Sequence, residues 1–408
     1  MNLLSLFSGC GGMDLGFEGN FYCLKESVNQ NLHPEWIKEN AGEWILLKPT
    51  AFNIVFANDI NKEAKTTWVS YFAKRNSEAD SVYHLGSIID LVKKEQIGES
   101  VFPQNIDIVT GGFPCQDFST AGKRQGFSSK KSHLGEVIEE PSIENRGHLY
   151  MWMREVITLV APKMFVAENV KGLKSLKGVK ETIENDFSEA CNGGYLVIPA
   201  RTLSAADYGV PQLRERIIFF GFRKNALKEE ALEALEKEEI PSEYDPYPDK
   251  THGDGLAPKV TCANALKDLA EPELSKDIDQ QKYSKAKFLG NKMQGQIEIK
   301  LNSVAPTIRS EHHGNIEYRR LSLEHGGTHY DELSLGLNER RLTVRECARL
   351  QTFPDDYRFI YKKNENTLPV SASDAYKLIG NAVPPVLAYN IAKNLEIKWT
   401  KYFGGTTK

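Results

Sequence analysis

Residues 3–12 read Leu3-Leu4-Ser5-Leu6-Phe7-Ser8-Gly9-Cys10-Gly11-Gly12, a short apolar run that leads directly into a glycine-rich turn. Glycines in a strand-to-helix turn let the backbone approach a ligand closely, and the helix that follows directs free N–H groups at it. The stretch therefore predicts the first strand of an α/β sheet, with a nucleotide-type cofactor at its carboxyl end. The dinucleotide fingerprint G-x-G-x-x-G fails because Asp14 occupies the position of its third glycine, so an NAD enzyme is disfavoured.

Further apolar runs follow and predict the rest of the sheet. Several of them precede helical patterns, as at residues 61–74 and 149–160. This alternation predicts an α/β fold with a doubly wound, mostly parallel sheet, whose ligands bind at the carboxyl ends of the strands. The predicted strands are Leu3–Phe7, Ile54–Ala57, Ile106–Thr110, Met164–Ala167, Leu196–Ile198 and Ile217–Phe222.

Composition limits the class of protein. A chain of 408 residues with 40% hydrophobic and 26% charged residues can bury a large core. It has no apolar run of the ~18 residues that a membrane helix needs. Because the N-terminus also lacks a basic region and a cleavage site, we expect a cytoplasmic location. The six cysteines are scattered without a C-x-x-C pair, so we expect reduced thiols, most of them buried, and no bound metal. The net charge of −4 does not indicate a nucleic-acid partner, so any such surface must be local.

The character of the sequence changes after residue 222, where the last predicted strand ends. The chain becomes rich in Glu and Lys and then stays polar and irregular as far as residue 335. We therefore expect two domains. One contains residues 1–222 plus 370–408, and a second, smaller and irregular domain with its hinge contains residues 223–369.

Three local patterns add detail to this division. Thr343-Val344-Arg345-Glu346 is a capping-box pattern that predicts the start of a helix. The pair Pro384-Pro385 predicts a break in a helix over residues 376–391. Residues 29–50 separate the first helix from the second strand, and we expect an insertion there.

One edge of the predicted sheet carries a cysteine on a tight turn. Gly111-Gly112-Phe113-Pro114-Cys115 follows a strand, and residues 119–133 then contain four Lys and Arg residues and no acidic residue. A thiol in this setting can have a lowered pKa and act as a nucleophile, whereas a cysteine taken singly is more often a buried small hydrophobe. The basic stretch is either a phosphate-binding loop or a solvated one.

Two carboxylates are predicted at the same edge. Glu168 is suited to protonating or hydrogen-bonding a ring nitrogen, although an acid at a strand end is more usually a cap or an ion-pair partner. Asp59 can accept the ribose hydroxyls of a nucleoside, with Ile60 packed on the base. The alternative for Asp59 is a helix N-cap.

A further motif places two arginines at alternate positions. In Gln212-Leu213-Arg214-Glu215-Arg216 both guanidinium groups point the same way if the segment is extended. Such a pair can hold a phosphate or a carboxylate, or it can belong to a structural ion pair.

Together and in this order, the motifs resemble those of one family, the DNA (cytosine-5)-methyltransferases. The resemblance covers nearly the whole chain except residues 29–50 and 223–335. The matching motifs are Phe7-Ser8-Gly9-Cys10-Gly11-Gly12, Pro114-Cys115-Gln116, Glu168-Asn169-Val170, Gln212-x-Arg214-x-Arg216, Arg341-Leu342-Thr343 through Arg345-Glu346-Cys347-Ala348-Arg349-Leu350-Gln351, and Gly380-Asn381-Ala382-Val383.

The resemblance implies a role for each catalytic position. In this family the cysteine of Pro-Cys-Gln adds to C6 of cytosine, which implies that Cys115 is the nucleophile. The resemblance implies that Glu168 contacts N3 and the exocyclic amine of the cytosine and that Arg216 contacts its O2 atom. It implies that Arg214 supports the active-site loop. The implied activity is methyl transfer from S-adenosylmethionine to C5 of a cytosine flipped out of a specific short duplex sequence, through a covalent bond between Cys115 and C6.

The same resemblance implies the binding surfaces. S-adenosylmethionine is expected to contact Phe7, Gly9, Gly11, Asp59, Ile60, Ile88, Pro114, Asn381 and Val383. Duplex DNA is expected to contact Gln116, Ser119, Lys123, Arg124, Thr307 and Arg309. Sequence readout is assigned to residues 223–335, through Arg309, Arg319, Arg320, His312, His313 and Asn315.

Two positions depart from the family pattern. Ser87 lies where the family often has an aspartate near the adenine amine, so the sequence does not assign a residue to that amine. Ile60 lies where a large aromatic residue often packs on adenine, so we expect weaker stacking there.

Rival interpretations differ in what they require. A cytidine deaminase needs P-C-x-x-C for zinc, and Phe118 occupies the second cysteine position. A tRNA methyltransferase of the same fold is the main enzymatic alternative, although it would have a smaller recognition region. A non-enzymatic DNA-binding protein would have lost Cys115 or Glu168. Metal binding at Glu311-His312-His313 is disfavoured because adjacent histidines alternate in direction.

We therefore expect a monomeric, prokaryotic modification enzyme. Its expected biological role is to protect host DNA from a cognate restriction endonuclease that acts on the same site without forming a stable complex.

Overall fold

The computed structural model describes residues 1–114, 149–176, 178–310, 316–363 and 368–404. Their strands are β1 (Asn2–Leu6), β2 (Tyr22–Leu24), β3 (Ile37–Ala41), β4 (Trp44–Leu47), β5 (Asn53–Asp59), β6 (Tyr83–Leu85), β7 (Ile108–Gly112), β8 (Met164–Val170), β9 (Tyr195–Ser204), β10 (Glu215–Arg223), β11 (Tyr318–Arg320) and β12 (Arg340–Arg341). Their α-helices are α1 (Gly12–Glu18), α2 (Lys62–Phe72), α3 (Ala79–Val82), α4 (Ile88–Gln96), α5 (Leu149–Val160), α6 (Val179–Ser188), α7 (Glu229–Leu235), α8 (Cys262–Leu266), α9 (Ile278–Gln281), α10 (Tyr330–Ser334), α11 (Val344–Leu350), α12 (Ala372–Asn381) and α13 (Pro385–Phe403).

A seven-stranded sheet of order β6-β5-β1-β7-β8-β10-β9 forms the centre of the fold. Strands β6, β5, β1, β7 and β8 pair in parallel, and β10 runs antiparallel to both of its neighbours. The predicted α/β class and mostly parallel sheet are confirmed, and each of the six predicted strands is present. Strand β6 was not predicted, because its three residues are too short to form a recognisable run.

Side chains alternate between two apolar layers on the faces of this sheet. Leu3 of β1 belongs to one buried cluster and Leu4 to the other, as the period of two in a strand requires. Helices α1, α2 and α13 pack in the first cluster, and helices α4, α5 and α6 pack in the second. The sheet is therefore covered on both faces, and its strand ends remain available for a site.

Helices α1 and α13 approach so closely that one position accepts only glycine. A Cβ atom built on Gly16 would lie 2.4 Å from the Cβ of Ala388 and 2.5 Å from the carbonyl oxygen of Pro385. Glycine is unfavourable inside a helix by about 1 kcal/mol relative to alanine. Its presence in α1 is explained by the contact between the two helix backbones.

Two predictions for the last part of the chain are confirmed, a helix start at Thr343 and a break at Pro384-Pro385, whereas the predicted bounds of 376 and 391 are too narrow, because the two helices cover Ala372–Asn381 and Pro385–Phe403. Thr343 caps α11 by accepting from the Glu346 N–H, while the Glu346 carboxylate accepts from the Thr343 N–H, which completes a capping box. Helix α12 ends at Asn381 and α13 begins at Pro385, so the predicted break at Pro384-Pro385 is present.

The insertion forms part of a separate three-stranded sheet of order β2-β4-β3. Trp36 of this unit is buried, and its ring meets that of Tyr389 in α13 edge to face, with centroids 5.4 Å apart. The side-chain amide of Asn29 donates to the carbonyl oxygen of Thr251 at 2.9 Å. The insertion therefore connects the last helix with the segment that follows β10.

Residues 223–369 contain only short elements in the parts that the structure describes, with helices of four to seven residues and strands of two and three. Buried residues of this region, such as Val260 and Leu342, belong to the same hydrophobic cluster as Leu387 of α13. Four of the five described cysteines are buried, in agreement with the sequence prediction. Across the described ranges no helix is long and apolar enough to cross a membrane.

Candidate active site

The three glycines of the turn after β1 serve different purposes. No described atom lies within 4 Å of a Cβ built on Gly9, whose φ is +53°. A Cβ on Gly11 would lie 2.5 Å from the Trp68 ring, and one on Gly12 would lie 2.2 Å from the carbonyl oxygen of Val383. Gly9 alone of the three therefore offers open backbone to a ligand, whereas Gly11 and Gly12 are required by packing.

Asp59 at the end of β5 faces this turn. Its carboxylate accepts from the N–H of Gly9 at 2.9 Å and from the N–H of Asn61 at 2.9 Å. Asn61, and not Asp59, is the N-cap of α2, so the alternative of a helix cap does not apply to Asp59. Burial raises the pKa of Asp59, and the N–H groups of Asn61 and Gly9 oppose that rise.

The neighbourhood of Asp59 suits a nucleoside. Ile60 is 48% exposed beside the carboxylate, which provides an apolar surface next to a hydrogen-bond acceptor and an open glycine. Ser87 is the N-cap of α4 and accepts from the N–H of Ile89 at 3.3 Å, so its hydroxyl already has a structural partner. Ile88 is 4% exposed and packs in the core, so its side chain offers little surface to a cofactor.

The other predicted cofactor contacts lie on several segments. Phe7 is partly buried with φ +53°, Pro114 is partly buried, and Asn381 is exposed. Val383 is buried, and its carbonyl oxygen borders Gly12 of α1. The Gly380–Val383 motif therefore lies against the turn that follows β1.

Glu168 lies directly beside the turn that leads to Cys115. Strands β7 and β8 pair Gly112 with Glu168, and a Cβ on Gly112 would lie 2.9 Å from Oε2 of Glu168. Gly112 thus leaves the space that the carboxylate occupies. The structure therefore places the predicted acid beside Gly112, which precedes Cys115 by three residues in the sequence.

The Glu168 carboxyl is buried in an ion pair. It is 7% exposed, and its Oε1 lies 2.6 Å from Nε of Arg216. Burial raises the pKa of Glu168, while the guanidinium groups of Arg216 and Arg214 oppose that rise. Because desolvation prevails, the neutral acid persists to higher pH than in an ordinary glutamate.

The two arginines of the Gln212-x-Arg214-x-Arg216 motif do not form one anion site. Arg216 pairs with Glu168, whereas Arg214 is fully buried and donates to the carbonyl oxygens of Ile308 at 3.0 Å and Gly380 at 2.7 Å. The hypothesis that the pair holds one phosphate or carboxylate is therefore wrong. Arg214 instead fixes the backbone of two neighbouring segments.

Two glutamines that the sequence reasoning left without a role complete this connection. Nε2 of Gln212 donates to Oε1 of Gln351 at 2.6 Å, and Nε2 of Gln351 donates to the carbonyl oxygens of Ile379 and Ala382, both at 2.8 Å. Both glutamines are fully buried. Their partners lie 28 to 139 residues away in the sequence, so no local pattern could have indicated these contacts.

Thr307 is held next to the same motif. Its hydroxyl donates to the carbonyl oxygen of Leu213, and the N–H of Ile308 donates to Oε1 of Gln212 at 3.0 Å. The segment that carries the predicted DNA contact is thus tied to the segment that carries Arg216.

Asn169 anchors the turn before Cys115 and was also missed. Its Nδ2 donates to the carbonyl oxygen of Phe113 at 3.2 Å, and its Oδ1 accepts from the N–H of Val170 at 2.8 Å. Consecutive residues of β8 therefore have two tasks: Glu168 supplies the acid, and Asn169 anchors the start of the turn that leads to Cys115.

Two arginines that were predicted to read base edges are buried. Arg320 is fully buried and pairs with Glu271 at 3.2 Å and with Glu332, and Arg319 pairs with Glu332 at 2.5 Å. Because both side chains are buried and paired with carboxylates, they do not present their guanidinium groups to a base edge. Arg309 is partly exposed and pairs with Glu317 at 3.0 Å.

Several predicted residues lie outside the described parts of the chain. They are Cys115, Gln116, Ser119, Lys123, Arg124, His312, His313 and Asn315, together with Glu311 of the disfavoured metal motif. Elsewhere, within the described ranges, no three His, Cys, Asp or Glu side chains group as a candidate metal site.

Solved structures share this arrangement of strands and helices. The chain is similar to the Entamoeba histolytica methyltransferase EhMeth, with a TM-score of 0.57, 15% identity and coverage of 97% of each chain. It is also similar to the S. pombe Dnmt2 methyltransferase, with a TM-score of 0.54, 20% identity and coverage of 97% of this chain and 98% of that one. These likenesses define the fold class.

The sequence model of the C-5 cytosine-specific DNA methylase family matches residues 1–397, and the chain belongs to that family. It is 33% identical to the type II methyltransferase M.BspRI of Lysinibacillus sphaericus over 410 residues, covering 97% of this chain and 81% of the relative. It is 31% identical to the type II methyltransferase M.BsuRI of Bacillus subtilis over 401 residues, covering 96% and 78%. The protein is thus a cytosine-5 DNA methyltransferase of the restriction-modification type, and its family implies use of S-adenosylmethionine.

Proposed function

We propose that this methyltransferase acts on a cytosine rotated out of a specific short duplex sequence, through a transient covalent bond between the sulfur of Cys115 and C6. The observation that carries the proposal is the buried Glu168 carboxyl, which lies against Gly112, the last residue of β7 before the turn that leads to Cys115. A buried acid with a raised pKa, paired across the sheet with a residue three positions before a candidate nucleophile, supports a catalytic role for both groups.

The thiolate of Cys115 has a defined task in this proposal. C5 of cytosine is a poor nucleophile within an aromatic ring, and addition of sulfur to C6 converts C5 into an enamine-like carbon. When bound, S-adenosylmethionine supplies an electrophilic methyl group. Water, acting as a base, then takes the proton from C5, the electron pair of that bond forms the C5–C6 double bond, and sulfur leaves C6 as the Cys115 thiolate. The proton at N3 returns to Glu168, which restores the ring.

Glu168 holds a proton at N3 while sulfur adds to C6. The proton relieves the negative charge that the added electron pair would place on the ring, and the raised pKa keeps it on Glu168 until it is needed. Arg216, at 2.6 Å from Glu168, orients the carboxyl, and we assign its contact with the base to O2. Arg214 positions the loop and does not touch the base.

The chain has residues suited to the cofactor at the ends of β1 and β5. We assign Asp59 to the ribose hydroxyls and Ile60 to the adenine, with Phe7, Gly9, Pro114, Asn381 and Val383 around the rest. The open backbone at Gly9 and the exposed side chain of Ile60 support this assignment.

Recognition of DNA is assigned to residues 223–369, and Thr307 to the backbone of the target nucleotide. Rotating a base out of the duplex costs a few kcal/mol, which contacts from residues 119–133 and from the recognition domain must offset. The enzyme acts as a monomer in the cytoplasm and protects host DNA from a cognate restriction endonuclease. Bisulfite sequencing of DNA from a host that expresses the protein identifies the methylated sequence, and unmodified DNA in that host would contradict the protective role.

The nucleophile is tested by replacing Cys115→Ala. We expect no transfer of labelled methyl to duplex DNA, with binding of the duplex retained. Cys191→Ala is the matched control, because Cys191 is a partly exposed thiol three residues beyond the end of α6. Methyl transfer at the wild-type rate by the Cys115→Ala protein would refute the assignment.

A further inference from the structure

Residues 282–300, which we call the lysine strip, carry five lysines that are all exposed. None of the five forms an ion pair with any residue that the structure describes. The single acidic residue of the strip, Glu298, accepts instead from the N–H groups of Leu321 and Thr328, both at 2.8 Å. The strip therefore carries five positive charges against one negative charge, and that carboxylate is directed at backbone N–H groups and not at the lysines. Its lysines are Lys282, Lys285, Lys287, Lys292 and Lys300.

The arginines of the same region differ from these lysines. Arg320, Arg340 and Arg345 are buried in ion pairs with carboxylates. A chain with a net charge of −4 thus uses these arginines internally and leaves exposed positive charge on the lysine strip. A local excess of exposed lysines is the electrostatic signature of a surface that meets a polyanion.

The strip is held in a fixed shape by one buried guanidinium. Arg341 donates to the carbonyl oxygens of Ala286 at 3.1 Å, Lys287 at 3.3 Å and Gly295 at 2.6 Å. It also donates to Oε1 of Gln296 at 3.3 Å. Because the backbone on both sides of the turn is fixed before binding, little conformational entropy is lost when the lysines contact a ligand.

The chain leads directly from the strip to the candidate active site. Seven peptide steps separate Lys300 from Thr307, and they span at most about 24 Å. Residues just before Thr307 are pinned to the catalytic segment, since the N–H of Leu213 donates to the carbonyl oxygen of Ala305 at 2.8 Å. One turn of duplex DNA is about 34 Å long, so the carboxyl end of the strip lies within a turn of a nucleotide bound at Thr307.

We propose that the lysine strip binds the phosphates of the duplex that flanks the target cytosine and so sets how the recognition domain lies on DNA. Each lysine in contact with a phosphate releases a counterion, which makes binding depend on salt and not on base sequence. The proposal rests on the assignment of residues 223–369 to DNA recognition.

The test is the triple variant Lys287→Gln, Lys292→Gln and Lys300→Gln. Lys285 is left in place because its ammonium lies 3.4 Å from the centroid of the Tyr283 ring. Affinity for a fluorescent duplex is measured against salt concentration. Each lost contact is expected to lower the slope of log K against log salt by about 0.9, and the triple variant by about 2.7, with affinity reduced about tenfold or more near 0.1 M salt.

The matched control replaces Lys38, Lys94 and Lys237 by Gln, which are exposed lysines on other parts of the molecule. We expect the control to keep the wild-type slope. The strip variant should lose the same factor in affinity for specific and for unrelated duplexes, because phosphates carry no sequence information. Both triple variants should keep the wild-type urea midpoint, since all the altered side chains are exposed.

Three results would overturn the proposal. They are a strip variant with the control slope, a loss confined to the specific duplex, and a loss confined to duplex RNA. Methyl transfer by the wild-type protein to the same duplex is measured in parallel. If the slope is unchanged and the wild type is active, the DNA-binding role of the lysine strip is rejected and the proposed function stands. If the wild type does not methylate the duplex, the proposed function itself is contradicted.

Discussion

Among single side chains, Glu168 gives the most direct prediction about catalysis. If its neutral form holds the proton at N3, the rate should fall as pH rises through the raised pKa of Glu168, because the acid is then lost. Replacing Glu168→Gln should lower kcat by about 10²- to 10⁴-fold and remove this decline at high pH. The measurement is kcat for labelled methyl transfer across the pH range in which both proteins stay folded. A variant that keeps the decline would show that another group causes it.

Asp14 gives a prediction about stability. It is 1% exposed and accepts from the Ser5 hydroxyl at 2.5 Å and from Nε1 of Trp68 at 2.7 Å. Burial raises its pKa from 3.8 to about 6, which corresponds to about 3 kcal/mol. Because the folded state holds the proton more tightly, this contribution is complete below pH 3.8 and is lost as pH rises through about 6.

The Asp14→Asn protein lacks this titration. Relative to the wild type, its free energy of unfolding should therefore rise by about 3 kcal/mol as pH increases across that window. Urea denaturation of both proteins at several pH values measures the difference. Two parallel curves would contradict a titrating Asp14.

Helices and strands differ in how far local sequence determines them. Helix α5 covers Leu149–Val160, as its apolar pattern predicted, and the strands of the central sheet follow their β-branched runs. The three-stranded sheet of the insertion was not predicted, because its stability comes from packing against α13 rather than from its own pattern. Strand β3 is almost wholly exposed and carries no apolar alternation.

At Gly16, where α1 contacts α13, helix propensity and packing predict opposite effects of a substitution on stability. Helix propensity alone predicts that Gly16→Ala stabilises the protein by about 1 kcal/mol. The close approach of Ala388 and Pro385 predicts the opposite, a loss of about 1–3 kcal/mol from overpacking, since backbone atoms cannot move aside. Urea denaturation distinguishes the two, and a stabilised variant would contradict the backbone contact.

At the scale of the whole chain, buried ion pairs hold the segments of the recognition region together. Arg340 and Glu346 are 6% and 1% exposed and form two hydrogen bonds of 2.8 and 2.9 Å. Replacing Glu346→Gln leaves Arg340 without its full charge partner and should cost about 3–5 kcal/mol of unfolding free energy. The control is Lys171→Gln, which breaks an exposed pair with Glu215 of equal 2.8 Å length and should cost less than about 1 kcal/mol. Equal losses in the two variants would contradict the difference that burial makes.

The candidate site could be predicted from sequence where strands end, and not where distant segments meet. Glu168, Asp59 and the glycine turn follow directly from strand positions, and the structure places each of them at the same edge. The partners of an arginine cannot be inferred in this way, because the Arg320 carboxylates lie 12 and 49 residues away. For the same reason the sequence alone does not distinguish the buried arginines of this region from the exposed lysines of the strip.

The covalent role of Cys115 is tested most directly with DNA that contains 5-fluorocytosine at the methylated position. Fluorine cannot leave C5 as a cation, so the bond between sulfur and C6 should persist after methyl transfer. Digestion and mass spectrometry should then find the modified nucleotide on the peptide that contains Cys115, at one nucleotide per protein. An active enzyme that forms no adduct, or forms it on another residue, would contradict the mechanism.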